Sequence, residues 1–389
     1  MKIGIISELN KKTVNYGNHL QAYALNKFLC DRYDTECVQS IMLTEKQPWK
    51  RTKYLSMEFV KQITDGIIRR LNLAGSKYSQ SQRSLDPRRA KFEEFRNRWF
   101  RDAIPIMSVE DLCKANYDAI IVGSDIVWIQ FPVKINRAKF LDFTANKPFK
   151  RISYAASFGS DYIPKENVRH LRKYLRRFDA ISVREHSSVA MLKEIGIPNA
   201  SYCLDPTLLL SAAQWEQIEQ PPSEIEDGEG YIFLYLLGKD VQQRENVMAF
   251  AKTAGLKVVY IPNALGVRVE ADDALEGTQI EDCSIENWIW LIHHARYVII
   301  DSFHGAVFST IFKKQFAVLK RYTSIGYDIN NRMQDYLREI GQTDKYISGD
   351  QLQNLADLEW DYQKIDAELE LRQKNSVAFL DRAIGEING

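Results

Sequence analysis

Two doubly wound α/β domains followed by a long C-terminal helix are what this 389-residue sequence predicts. Three observations lead there. Short apolar runs alternate with segments of helical periodicity from the first residues onward. The alternation breaks once, at a stretch of Pro, Gly and acidic residues, and then restarts. Repeated strand–helix–strand units imply parallel pairing through helical crossovers.

The elements follow in order. Lys2 to Ser7 reads as a buried strand, and Asn18 to Tyr33 carries Leu20, Ala24, Leu25, Phe28 and Leu29 at helical spacing. Glu36 to Leu43 returns to strand. Asp118 to Val122 is a strand ending in Gly123-Ser124-Asp125, and Arg151 to Ala156 is another, ending in Ser157-Phe158-Gly159. Helix Glu166 to Arg177, strand Ala180 to Val183, helix Glu185 to Ile195 and strand Ser201 to Leu204 close the first series at Asp205-Pro206-Thr207. The break is Gln217 to Gly230, with Pro221-Pro222 and Asp227-Gly228. Beyond it come strand Tyr231 to Leu237, helix Val241 to Ala254 and strand Lys257 to Ile261. Helix Ile285 to Ala295, strand Tyr297 to Ile300, helix Phe303 to Phe312, strand Gln315 to Leu319 and helix Asn331 to Ile340 complete the second series, and Trp360 to Ile384 reads as one charged helix. The expected organisation is a Rossmann-like domain over 1–212, a second over 228–345, and a helical tail over 346–389. Ligands of open α/β sheets sit beyond the carboxyl ends of the strands, which directs attention to the cleft between the domains.

Composition narrows the function. Fifty-two Lys and Arg against fifty-one Asp and Glu leave a net charge of +1, which argues against a nucleic-acid binder. Five widely spaced cysteines with no C-x-x-C pair argue against a disulfide scaffold or structural zinc site. The N-terminal apolar run is too short for a signal peptide, and no run suits a spanning helix, so a cytoplasmic protein is expected. The segment Lys46 to Arg101 nevertheless holds fifteen Lys and Arg against five Asp and Glu, with helical periodicity over Tyr54 to Leu73 and Pro87 to Phe100. It reads either as a solvated helical insertion or as a surface meeting anionic lipid or a pyrophosphate-linked substrate.

Chemistry-bearing residues fall at strand-to-helix junctions. Asn15-Tyr16-Gly17-Asn18-His19 opens a helix, whose free N–H groups can hold an anion or a sugar hydroxyl; alternatively Asn18 is an N-cap and Gly17 a turn. Asp301-Ser302-Phe303-His304-Gly305 puts a histidine in the first turn of a helix, suited to proton transfer or else hydrogen-bonded for structure, beside a glycine that lets a ligand approach. Ser182-Val183-Arg184-Glu185 delivers an arginine to a strand end, to grip a carboxylate or phosphate or to pair with a nearby acid. His293-His294 is expected to point to opposite sides of its helix, with no third ligand, and so to be structural. No G-x-G-x-x-G follows a strand, and there is no Walker A sequence or nucleophile elbow.

In order, these junctions resemble the polysaccharide pyruvyl transferase family. The resemblance rests on Asn15 to Asn18 with Leu20 to Leu25, Tyr117 to Asp125 with Val127-Trp128, Tyr154 to Gly159, Ser182 to Glu185, Asp205-Pro206-Thr207, Ser302 to Gly305 and Asn331-Arg332, over about residues 1 to 340. It implies an arrangement similar to glycosyltransferase type B. It also implies transfer of the enolpyruvyl carbons of phosphoenolpyruvate to two sugar hydroxyls, giving a cyclic ketal and phosphate without metal or cofactor. By resemblance His304 is catalytic, and Arg184, Ser302, Gly305, Arg321 and Arg332 surround the donor. Asn15, Tyr16, Gly17, Asn18 and Asp125 would meet the acceptor. Ser302 departs from members with arginine there, leaving Lys320, Arg321 or Arg332 to substitute, and Ile126 stands where relatives often have glutamine. The implied partners are phosphoenolpyruvate and a polyprenyl-diphosphate-linked saccharide of capsule or exopolysaccharide assembly, met at the inner face of the cytoplasmic membrane with peripheral contact to anionic lipid. Rival readings are a nucleotide-sugar glycosyltransferase on the same fold and a non-catalytic sugar-binding relative.

Overall fold

The computed structural model describes residues 1–9, 14–33, 35, 37–43, 86–129, 136–142, 149–226, 228, 230–321 and 330–385. Within them the chain forms two wholly parallel sheets. The first contains β1 (Lys2–Ile6), β2 (Cys37–Leu43), β3 (Ile106–Met107), β4 (Ala119–Val122), β5 (Lys150–Ala156), β6 (Ala180–Val183) and β7 (Ser201–Tyr202). Their spatial order is 3-2-1-4-5-6-7. The second contains β8 (Tyr231–Tyr235), β9 (Lys257–Tyr260), β10 (Thr278–Gln279), β11 (Tyr297–Ile300), β12 (Gln315–Leu319) and β13 (Tyr346–Ile347), in the order 10-9-8-11-12-13. Strands buried on both faces explain the unbroken apolar runs: Ile3, Ile5 and Ile6 of β1 and Val298, Ile299 and Ile300 of β11 are all fully buried.

Each sheet reverses its winding once, between β1 and β4 and between β8 and β11. The crevice at such a reversal is where an open α/β sheet binds its ligand. Helix α1 (Tyr16–Arg32) leaves the first reversal. Along the chain follow α2 (Arg88–Trp99), α3 (Val109–Lys114), α4 (Lys165–Leu175), α5 (His186–Glu194), α6 (Ala212–Glu216), α7 (Val241–Ala254) and α8 (Ile285–His294). Helix α9 (Phe303–Ile311) leaves the second reversal, and α10 (Asn331–Glu339) and α11 (Tyr362–Gly385) end the described chain.

One helix departs from expectation. Helix α2 is the second half of the basic segment, but it is a wedge between the domains and not a solvated face. Phe92 and Phe95 are buried, Phe92 lies 5.0 Å from the Tyr16 ring, and Trp99 Nε1 donates to Glu286 of α8 at 2.9 Å. Phe92, Phe95 and Trp99 recur at i, i+3 and i+7, a seam that the surrounding charge hides from a composition count. Residues 46–85, with the helix expected over 54–73, lie outside the described residues. The tail helix α11 returns to the first domain, where Phe379, Leu380 and Ile384 share a core with Ile3, Ile5 and Ile121. Arg32 holds Asp381 through two hydrogen bonds at 2.8 and 2.7 Å. Among the described residues no helix is long and apolar enough to cross a membrane.

Candidate active site

The two reversals face each other, and α1 and α9 touch at their N-termini. Asn15 caps α1, its Oδ1 accepting from Asn18 N at 3.2 Å. The cap is therefore Asn15 and not Asn18, and Gly17 lies inside the first helical turn. Asn18 Nδ2 donates to the Glu8 carbonyl at 3.2 Å. Tyr16, expected to meet an acceptor, is fully buried in the seam; its hydroxyl donates to the Cys283 carbonyl at 2.9 Å and its ring stacks 5.6 Å from Trp288.

Across the seam Ser302 caps α9, its Oγ accepting from Gly305 N at 3.4 Å. That hydroxyl is spent on the helix. A Cβ on Gly305 would stand 3.1 Å from Ile300 Cγ2, so close packing of helix on strand, and not ligand approach, asks for the glycine. The buried His304 ring fills the space beside Gly17: a Cβ at 17 would stand 2.6 Å from Cε1 and 2.7 Å from Cγ of the imidazole. Its other nitrogen, Nε2, lies 3.5 Å from Asp205 Oδ2.

Asp205 is the hub that the sequence motif contained but did not single out. Its Oδ1 accepts from Thr207 N at 3.1 Å and Thr207 Oγ1 at 2.8 Å, which fixes the carboxylate. Its Oδ2 accepts from Ser124 Oγ at 3.1 Å and from Arg184 Nη1 at 2.8 Å. Burial would raise this carboxyl, but His304 and Arg184 hold it well below the usual range. Arg184 also donates from Nε to Glu185 at 3.1 Å, and its Nη2 lies 3.9 Å from Asp125. Its guanidinium sits 4.1 Å above the centre of the Phe303 ring. Burial opposes that charge, and Glu185, Asp205 and Asp125 outweigh it, so the arginine stays protonated. The ion-pair reading of Arg184 is thus the one its contacts display. Asp125, with φ at 66°, is held in the left-handed region at the end of β4, backbone strain of the kind that clusters at functional sites.

Two further cations complete the group. Arg321 bonds to the Asp301 carbonyl and, at 3.2 Å, to the Asp301 carboxylate, which also accepts from Leu237 N and Gly238 N at 2.7 Å each. It thereby ties together the ends of β8 and β11. Arg332 has no ion-pair partner among the described residues. Burial first, and repulsion from Arg184 next, lower its guanidinium to about 10. Arg184 Nη2, His304 Nε2 and Arg321 Nε are buried and find no hydrogen-bond partner among the described residues. A cavity of about 10 Å³ lies on the Arg184 side, lined by Arg184, Asp205, Phe303, Arg332, Tyr336 and Glu339 among others.

The polysaccharide pyruvyl transferase model matches residues 15–321, from the α1 cap to Arg321. The chain belongs to the polysaccharide pyruvyl transferase family. No curated protein matches the sequence. Among solved structures, the UDP-GlcNAc 2-epimerase of Methanocaldococcus jannaschii is 11% identical, with a TM-score of 0.51 over 95% of this chain and 92% of that one. The UDP-N-acetylglucosamine 2-epimerase of Rickettsia bellii is 8% identical, with a TM-score of 0.50 over 100% of this chain and 98% of that one. Such likeness is one of fold, the two-domain arrangement similar to glycosyltransferase type B. For a pyruvyl transferase the matched span is informative, because it holds Asn15 to Asn18, Asp125, Arg184, Asp205, His304 and Arg321, all of which meet at one seam. Arg332 joins them from beyond the match.

One pair is a correction. His293 and His294 were expected to diverge, yet their rings lie 4.5 Å apart and both reach Glu219. His294 is the last residue of α8, where helical geometry ends and adjacent side chains are no longer held a helical turn-angle apart.

Proposed function

We propose that this pyruvyl transferase uses phosphoenolpyruvate as donor and forms a cyclic pyruvate ketal on a sugar of a lipid-linked polysaccharide precursor, releasing phosphate. The observation that carries the reading is the set of orphaned groups at one seam. Among the described residues Arg184 Nη2, His304 Nε2 and Arg321 Nε have no hydrogen-bond partner, and Arg332 makes no ion pair. Buried polar groups are rarely left so unless a ligand completes them. A small, densely anionic donor suits three guanidinium groups, and the carboxylates already present keep Arg184 in place for it.

The chemistry divides among the residues. A proton reaches the methylene carbon of the donor and leaves C2 electron-poor. One sugar hydroxyl adds to C2 and loses its proton, and a second hydroxyl displaces phosphate, which carries away the C–O electron pair. His304 relays the proton or assists the departing phosphate, with Asp205 stabilising its charged form. Arg332 and Arg321 hold the donor from the second domain, while Asn15, Asn18 and Asp125 line the first-domain side where the acceptor enters. A cavity of about 10 Å³ is room for about one water, so the donor enters when the domains part. The part of the basic segment that precedes α2, residues 46–85, supplies peripheral attraction to anionic lipid at the cytoplasmic face, where such acceptors are built.

The test is incubation with phosphoenolpyruvate and a panel of lipid-linked saccharides, scoring phosphate release and the mass of the ketal. Ketal formation with stoichiometric phosphate is expected. Transfer only from nucleotide sugars, or absence of both turnover and phosphoenolpyruvate binding, overturns the proposal.

A further inference from the structure

Glu219 lies in the interdomain linker just after α6, and the linker runs along α8. Gln220 N donates to the Glu286 carbonyl at 3.2 Å, and Asn287 Nδ2 donates back to the Gln220 carbonyl at 3.0 Å. At the other end of α8 the Glu219 carboxylate is straddled by two imidazoles. His293 Nδ1 lies 2.9 Å from Oε2, and His294 Nε2 lies 3.1 Å from Oε1. The three ligand atoms all lie within 4.8 Å of one another.

Their supports are rigid. The His293 ring stacks 4.3 Å from Phe312, and the His294 ring 4.4 Å from Trp290. Lys314 Nζ donates to the His293 carbonyl at 2.7 Å. The carboxyl is largely covered and would be raised by burial, yet the two imidazoles hold it below its ordinary value. Both histidines belong to the last turn of α8, where the helix dipole favours positive charge.

From this geometry we propose that Glu219, His293 and His294 form a binding site for a borderline divalent cation of the zinc type, which pins the linker to the end of α8. Two imidazole nitrogens and one carboxylate oxygen are a three-ligand zinc set that leaves a position for water. Imidazole selects such a metal over magnesium or calcium, which prefer oxygen ligands. The two ring nitrogens that now face Glu219 would present their lone pairs to the metal. Protonation of either ring competes with the metal, so binding weakens as the solution is acidified. The site is remote from the catalytic seam: His293 packs on Phe312, just past the last residue of α9, whereas His304 lies in the first turn of that helix.

Zinc ion itself is the probe, titrated by calorimetry into the untagged full-length protein. One-to-one binding is expected, with a zinc-dependent rise in melting temperature. Glu219→Gln, His293→Gln and His294→Gln should each weaken the affinity about tenfold or more. Cobalt, as a spectroscopic substitute, should show no thiolate charge-transfer band, which separates this site from the five free cysteines. His294→Gln is the decisive variant, because its side chain is 43% exposed and the fold does not depend on it. Unchanged affinity in that variant, a thiolate spectrum, or no zinc binding by the parent overturns the proposal.

Discussion

The imidazole of His304 occupies the space that any side chain at Gly17 would need. One residue belongs to the first domain and the other to the second, so the first turn of α1 is a wall of the pocket that holds the proposed catalytic histidine. Replacing His304 by Ala should leave the fold intact and lower turnover by roughly 100-fold or more. Gly17→Ala should do comparable harm by displacing the ring. The double variant should be little worse than either single one, because the two changes act on one interaction. Turnover and circular dichroism measured on all three variants check this.

Arg184 and Arg332 share a site but not a role. Arg184 neutralises Asp205, Glu185 and Asp125, so Arg184→Met should strand buried carboxylates and cost about 3–5 kcal/mol of stability. Arg332 makes no ion pair with a described carboxylate. Arg332→Met should therefore leave stability unchanged or raised, and weaken phosphoenolpyruvate affinity about tenfold or more, ~1.4 kcal/mol. Urea denaturation paired with donor titration separates the two.

Glu339 lines the small cavity, and burial lifts its carboxyl to about 8 even though the Tyr202 hydroxyl donates to it. The folded chain then keeps a proton that the unfolded chain sheds near 4.5. Stability therefore falls as pH rises through that window, by on the order of 5 kcal/mol at most. Glu339→Gln should abolish the decline and be the more stable form at about pH 9. Urea midpoints measured at about pH 6 and about pH 9 check both statements.

The basic segment should hold the protein reversibly on anionic membranes, at ~1 kcal/mol for each cation that reaches the surface. Liposomes rich in anionic lipid should sediment the protein at low salt and release it at high salt. Replacing Lys50, Arg51, Lys53, Arg69 and Arg70 by Gln should reduce both this binding and activity on lipid-linked acceptors, while sparing short soluble ones. Equal sedimentation of parent and variant would refute the idea.

Much of this was legible in the sequence, because doubly wound sheets write themselves as apolar runs that end at turn residues. The strand-to-helix junctions could be placed, and with them His304. Contacts between domains were not legible. Tyr16 reads as an exposed junction residue until Trp288 and Cys283, more than 260 residues away, close over it. Asp205 stood in a recognised motif, yet its place between Arg184 and His304 depends on three separate strand ends. The wedge helix α2 was obscured because Arg88 and Arg96, counted as surface charge, are buried: Arg88 bonds to the Asn263 carbonyl, and Arg96 to His19.

The return of α11 has a consequence for synthesis. Domains of a growing chain ordinarily fold in the order in which they emerge. Here Phe379, Leu380 and Ile384 complete the core built on Ile3, Ile5 and Leu25, and Ser376 accepts from Leu204 N at 2.9 Å. The core of the first domain is complete only once α11, made after the whole second sheet, has left the ribosome. The second domain, begun later, has its sheet complete at β13 while α11 has yet to be made.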